Sequence, residues 1–257
     1  MNFLRVIPFL LLANDGLVKT INYKSRTYIG DPINAVKVFN KKEVDELALI
    51  DIDASRNNRG PDFNKISQIV SEAFMPISYT GGVSSLKDFE TLFKIGVEKV
   101  GVNTLFYENR AIVEEAIKIF GAQSICICLD LKKNFFNEHY ACSKYGSKKI
   151  KSSIKDLLKN IEDMGPGEVI VNAIYNDGRM KGYDLEIIRK VSSSLSAPVI
   201  ALGGAGDLNH LQQALYHGAN ALGAGSMFVF QGPHRGVLIS YLKKSDIEAL
   251  NAVYVQI

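Results

Sequence analysis

A shift of 122 residues carries one stretch of this chain onto another. Residues 198–226, PVIALGGAGDLNHLQQALYHGANALGAGS, repeat the plan of residues 76–104, PISYTGGVSSLKDFETLFKIGVEKVGVNT, without insertion. The matched pairs are Pro76/Pro198, Gly81/Gly203, Gly82/Gly204, Leu86/Leu208, Gly96/Gly218, Gly101/Gly223 and Thr104/Ser226. Upstream, the same offset pairs Glu46 with Glu168, Gly60 with Gly182 and Asp62 with Asp184. A repeat on this scale builds one unit from two similar halves, here about residues 1–122 and 123–257 of a single domain.

Apolar runs at residues 3–12, 46–53, 75–80, 97–103, 124–131, 168–174, 198–202 and 219–224 are continuous rather than alternating. That is the pattern of parallel strands covered on both faces. Helical patterns lie between them. Asp31-Pro32 offers an N-cap and an N1 proline for a helix over residues 33–40, and Asp62, Ser85, Asp184 and Asp207 open later helices. Gly96 and Gly218 stop theirs. Eight strands in strict alternation with eight helices, built as two equivalent halves, predict an α/β fold, a (β/α)8 TIM barrel. An open doubly wound sheet is the alternative, but it gives no reason for an in-register half-length repeat. The long segments 13–31 and 132–151 follow strands 1 and 5 at the barrel's C-terminal face, so they read as lid loops over a site.

The 257 residues, 47% of them hydrophobic, are ample for one large core, and a net charge of +3 points away from nucleic acid or a membrane surface as main partner. Lys148, Lys149, Lys151 and Lys155 read as a solvated loop. Three cysteines, Cys126, Cys128 and Cys142, make no disulfide framework, which fits a reducing, cytoplasmic setting. The apolar N-terminus is interrupted by Arg5 and ended by Asn14-Asp15-Gly16. It falls short of the ~20 residues of a membrane helix, lacks a signal-peptide cleavage site, and reads as a buried strand.

Glycines after a strand let backbone N–H groups approach an anion, and barrels bind phosphate after strands 7 and 8. Gly203, Gly204, Ala224, Gly225 and Ser226 lie there, and the repeat sets Gly81, Gly82, Asn103 and Thr104 on the opposite side of the mouth. Two facing cradles imply a long phosphorylated ligand with an anion at each end; tight strand-to-helix turns are the plainer alternative. Asp130 closes the run SICICLD, where a carboxylate of raised pKa would serve as general acid or base. Pairing with a lid lysine is the structural alternative. Asp177 and the strand-2 residues Asp51 and Asp53 lie toward or beside the same mouth. At the other end, Arg5, Glu46, Lys99 and Glu168 begin strands and by default plug the floor. The four histidines, His139, His210, His217 and His234, show no metal-ligand spacing, so no metal and no cofactor is expected.

These residues resemble a known family. RVIPFLL at 5–11, DIDAS at 51–55, TGGV at 80–83, GVNT at 101–104, LDLKK at 129–133, NDGRMKGYD at 176–184, and ALGGAG followed by GAGS are similar to the cyclase subunit of imidazole glycerol phosphate synthase. The resemblance covers nearly the whole chain. It implies a lyase-type synthase subunit in histidine biosynthesis that takes ammonia from a glutaminase docked on the barrel floor. The ammonia passes through the barrel to a bis-phosphorylated substrate. The resemblance makes Asp130 one of two catalytic carboxylates, Lys19 a substrate-binding lid residue, and Arg5, Glu46, Lys99 and Glu168 the ammonia gate. Phosphate contacts fall on Gly82, Asn103, Thr104, Asp177, Gly178, Gly204 and Ser226. The departures are Leu11 in register with the family's strand-1 aspartate (Asp15 belongs to the next turn), Leu202 for a serine, and Asn172 for a threonine. They resemble a paralogous branch encoded with surface-polysaccharide or flagellin sugar pathways. For that branch the implied partners are a glutaminase and a sugar amidotransferase. An authentic histidine-pathway cyclase, a single-chain sugar-phosphate isomerase, and a scaffold that only activates the glutaminase remain alternatives.

Overall fold

The computed structural model describes residues 4–13 and 16–256, so Asp15 lies outside the described residues. Eight strands form a closed parallel barrel: β1 (Arg5–Ala13), β2 (Leu47–Asp51), β3 (Ile77–Thr80), β4 (Lys99–Val102), β5 (Ile125–Lys133), β6 (Glu168–Ala173), β7 (Val199–Leu202) and β8 (Ala221–Ala224). Each pairs in parallel with its chain-order neighbours. The ring closes where β1 meets β8, Arg5 opposite Ala221 and Pro8 opposite Ala224. The expected (β/α)8 barrel is thus observed. Around it lie α1 (Pro32–Lys41), α2 (Phe63–Ser71), α3 (Leu86–Ile95), α4 (Arg110–Phe120), α5 (Ile154–Met164), α6 (Leu185–Ser192), α7 (Leu208–Tyr216) and α8 (Lys244–Gln256).

The apolar runs are continuous because both strand faces are covered. One face packs on the helices in a cluster that includes Phe39, Tyr79 and Phe89. The other fills the barrel with Ile7, Phe9, Ala48, Cys126, Cys128, Ile170, Ile200, Leu202 and Ala221. Asp31, Asp62, Ser85, Asp184 and Asp207 each cap their helix by accepting the backbone N–H three residues on. Gly96 ends α3 in the left-handed region, and Gly218, one residue past the cap of α7, has φ of 91°.

The offset seen in the sequence reappears in the bounds of the strands: β3 and β7, and likewise β4 and β8, are 122 residues apart at both ends. Gly81 and Gly203 show why glycine recurs. Their φ values are 138° and 92°, and an added Cβ would come within 2.6 Å of the Asp51 carbonyl and 2.7 Å of the Ala173 carbonyl. The crossing of chain over the preceding strand leaves no room for a side chain.

Two expectations need correction. Segments 13–31 and 132–151 are hairpins, not loops. Gly16–Ile21 pairs antiparallel with the end of β1 and with Ser25–Gly30, while β5 runs on to Lys133 and is met by His139–Ser143. Their outer strands are exposed, as SRTYIG is at its first four residues, so no apolar run announces them. The lysine cluster is loop only at Lys151: Lys148–Lys149 form a short strand and Lys155 lies on α5. All four of these lysines are exposed.

Candidate functional site

At the barrel floor, the four charged residues that begin or precede β1, β2, β4 and β6 form a closed ring. Arg5 pairs with Glu46 at 2.6 Å and with Glu168, and Lys99 pairs with the same two carboxylates at 3.1 and 3.0 Å. Two cations and two anions cancel. Burial pulls the Lys99 ammonium down, but Glu46 and Glu168 outweigh it and hold it above its ordinary value. Above the ring the Cys126 thiol points to Glu168 at 3.7 Å.

At the opposite end two adjoining pockets open, concave and lined by both apolar and polar groups as small-molecule sites are. Gly81, Gly82, Asn103, Thr104 and Asp130 line the first. The second is lined by Lys19, Asp177, Gly178, Gly203, Gly204, Gly225 and Ser226. Tyr23, Ile50, Asn172 and Leu202 border both. In the first, Gly82 N–H donates to Ser55 Oγ at 3.2 Å, and the Asn103 amide bridges the Cys128 and Cys142 carbonyls at 2.9 and 3.2 Å. Thr104 opens the short helix Thr104–Glu108 and accepts from Lys144 N–H.

In the second, Lys19 lies on the inner strand of the first hairpin and is only 4% exposed. Its ammonium donates to the Phe9 carbonyl at 2.5 Å. A Cβ on Gly225 would sit 2.0 Å from Lys19 Nζ, so glycine at 225 makes room for the cation. Burial lowers the Lys19 pKa to about 8 against the pull of Asp177. An anion here would find a cation with little water to displace it. Asp177 itself is taken up by the hairpin: its carboxylate accepts from the Thr20 hydroxyl and Tyr23 N–H, and its carbonyl accepts from Asn22 N–H at 3.0 Å. Burial raises its pKa. Gly178 lies against the hairpin backbone, where a Cβ would meet the Thr20 carbonyl at 2.0 Å.

Asp130 lines the first pocket, three residues before β5 ends. Burial raises its pKa to about 6, and hydrogen bonds from Asn172 and Tyr23 restrain the rise. No lysine ion pair to Asp130 is found among the described residues; the alternative of a lid lysine gives way to Asn172 Nδ2 at 2.7 Å and the Tyr23 hydroxyl at 3.2 Å. Leu11 packs with Ala13, Val18 and Ile52, so β1 brings no proton carrier to the mouth. Asp51 and Asp53 prove to be anchors. Asp51 pairs with Arg59 at 2.8 Å, and Asp53 takes Arg26 of the hairpin at 2.6 and 2.8 Å.

Sequence spacing missed two groups. Tyr23 and Tyr145, from different hairpins, stack over the mouth, a contact no local pattern encodes. One histidine does meet carboxylates that are distant or unremarkable in sequence spacing. His139, Asp184 and Glu186 bring ligand atoms within 4.8 Å of one another. Lys133 Nζ already stands there, 2.8 Å from Asp184 and 4.0 Å from Glu186, where a cation would sit.

A family model described as "Histidine biosynthesis protein" matches residues 5–234. Over 246 residues the chain is 44% identical to a provisionally named imidazole glycerol phosphate synthase subunit, hisF2, of Pseudomonas aeruginosa, spanning 95% of this chain and 98% of the relative. A provisionally named subunit hisF3 of Vibrio vulnificus is 43% identical over 247 residues, with 94% of each chain covered. Imidazole glycerol phosphate synthase subunit HisF of Pyrobaculum aerophilum is 34% identical over 249 residues, 95% of this chain and 97% of that one. With the closed barrel and its two glycine-lined pockets, these matches mean that the chain belongs to the histidine biosynthesis protein family, among its HisF-like synthase subunits.

Proposed function

We propose that the chain is the synthase subunit of a glutamine amidotransferase. A glutaminase binds beneath the barrel, ammonia enters through the floor, and a phosphorylated ligand waits at the mouth. The neutral ring of Arg5, Glu46, Lys99 and Glu168 carries this reading. It closes the floor with side chains alone, whose ion pairs a docked partner's charges can redraw by rotamer changes. Above it the lumen includes small groups, Ala48, Gly101, Cys126 and Cys128.

Leu11 directs the choice of acceptor. Ring closure needs proton transfers that a positioned acid–base pair accelerates by about 10²–10⁴-fold, and β1 supplies no partner for Asp130. We therefore take the chain to supply ammonia for amidation of a sugar in surface-glycan assembly, lipopolysaccharide O-antigen or flagellin, with a sugar amidotransferase receiving it. The second reading is an authentic cyclase of histidine biosynthesis. Asp130, with its pKa raised to about 6, and the two facing pockets favour it. Complementation of a histidine auxotroph that lacks its own cyclase separates the two. No growth is expected; robust growth overturns the sugar reading in favour of the cyclase.

A further inference from the structure

The β1 side of the mouth offers Asp130 no carboxylate, yet a different polar group reaches it. Tyr23 sits at the tip of the first hairpin in the left-handed region, φ 59°. Its ring stacks on Tyr145 of the second hairpin, with centroids 4.1 Å apart and planes 8° from parallel. The stack aims the hydroxyl into the mouth, where it donates to Asp130 Oδ1 at 3.2 Å. Asn172 Nδ2 donates to the same oxygen at 2.7 Å and to the Tyr23 hydroxyl. Both bonds to the carboxyl fall on Oδ1 and neither on Oδ2. All three side chains border the first pocket without filling it.

We propose that Tyr23 is the positioning residue of Asp130: with Asn172 it clamps Oδ1 and leaves Oδ2 to take a proton from a ligand O–H or N–H in the first pocket. The transfer leaves Asp130 a neutral carboxyl and the ligand one proton poorer. Donors on one oxygen favour the carboxylate and fix its rotamer, so the base is pre-oriented only while the hairpin is folded. Because burial and the nearby carboxylates hold the phenol well above its ordinary pKa, Tyr23 stays protonated and remains a donor. The inference concerns the mouth alone and stands or falls apart from the ammonia reading.

The test is a ¹³C NMR titration of the Asp130 carboxyl, assigned by its loss in Asp130→Asn. Tyr23→Phe keeps the ring on Tyr145 and deletes only the hydroxyl. Lys132, Asp177, Tyr107, Tyr145, Cys128 and Cys142 also surround the carboxyl and are the same in both proteins, so the difference isolates the Tyr23 bond. The midpoint is expected to move upward in Tyr23→Phe, because a donor to the carboxylate is lost. It is expected to move downward with 3-fluorotyrosine at position 23, a stronger donor that leaves the packing intact. Curves that superimpose on wild type in both proteins overturn the proposal, since a tyrosine that merely packs would shift neither.

Discussion

At the scale of single residues, Asp130 shows how a site can work against its own fold. Its carboxyl has a folded pKa of about 6 against an ordinary 3.8. The folded state therefore binds the proton more tightly, and stability falls as pH rises from about 4 to 6. Above that window the ionised group costs the fold on the order of 3 kcal/mol. Asparagine removes the charge and keeps an oxygen to accept from Tyr23 and Asn172. Asp130→Asn should thus be more stable than wild type at pH 7 and about equal to it near pH 3.5, as measured by urea unfolding at both pH values. Equal stability at pH 7 would mean that the carboxylate is not strained. The opposite logic holds at Leu11, an apolar residue among Ala13, Val18 and Ile52. Leu11→Asp would bury an unpaired carboxyl there and should cost roughly 1–3 kcal/mol in the same assay.

Among the elements, the hairpin Gly16–Gly30 decides what the mouth looks like. Leu17, Val18 and Ile29 bury it against the barrel, and polar ties add to that hold: Arg26 on Asp53, Thr20 and Tyr23 on Asp177, and Arg179 on Asn22 at 3.0 Å. Of these, the two-pronged Arg26 pair also lays the guanidinium over the Tyr145 ring at 5.8 Å. Arg26→Ala leaves Asp53, only 6% exposed, without that cation. Losing charge-assisted bonds of this kind costs roughly 1.5–3 kcal/mol. Amide exchange over residues 16–30 should then speed by about tenfold or more while the barrel strands keep their protection. Exchange that stays slow in the hairpin would show that its other contacts suffice. The caps of the helices were legible from Asp and Ser in the sequence because a cap is a local bond, three residues long. The hairpins were not, because their strands are half exposed and pair with β1 and β5 rather than forming apolar runs of their own.

For the whole molecule, the ring at the floor ties four strands together across sequence separations of 41 to 163 residues. Lys99→Ala leaves Glu46 and Glu168, both nearly buried, sharing Arg5 alone. Breaking a buried ion pair from one side costs about 3–5 kcal/mol, which denaturant titration would read, and Lys99→Arg should restore most of it. Co-purification of a glutaminase expressed from the same genome should fail with the alanine variant and return with the arginine one. A complex that forms equally well with alanine would place the partner elsewhere.

By itself the sequence determined the closed barrel, its helix caps and the two glycine-lined cradles. Each of these rests on periodicity, a local bond, or a 122-residue repeat that two stretches carry openly. It also put Asp130 and the four floor charges at strand ends. Only the tertiary structure decided what those charges touch. It closed Arg5, Glu46, Lys99 and Glu168 into one neutral ring, gave Asp51, Asp53 and Asp177 partners that anchor loop and hairpin while Asp51 and Asp177 still line the pockets, and brought Tyr23, Tyr145 and Asn172 around Asp130. Those partners lie 107 residues apart for Tyr23 and 42 for Asn172, and no local propensity records a contact that forms only when separate strands close a barrel.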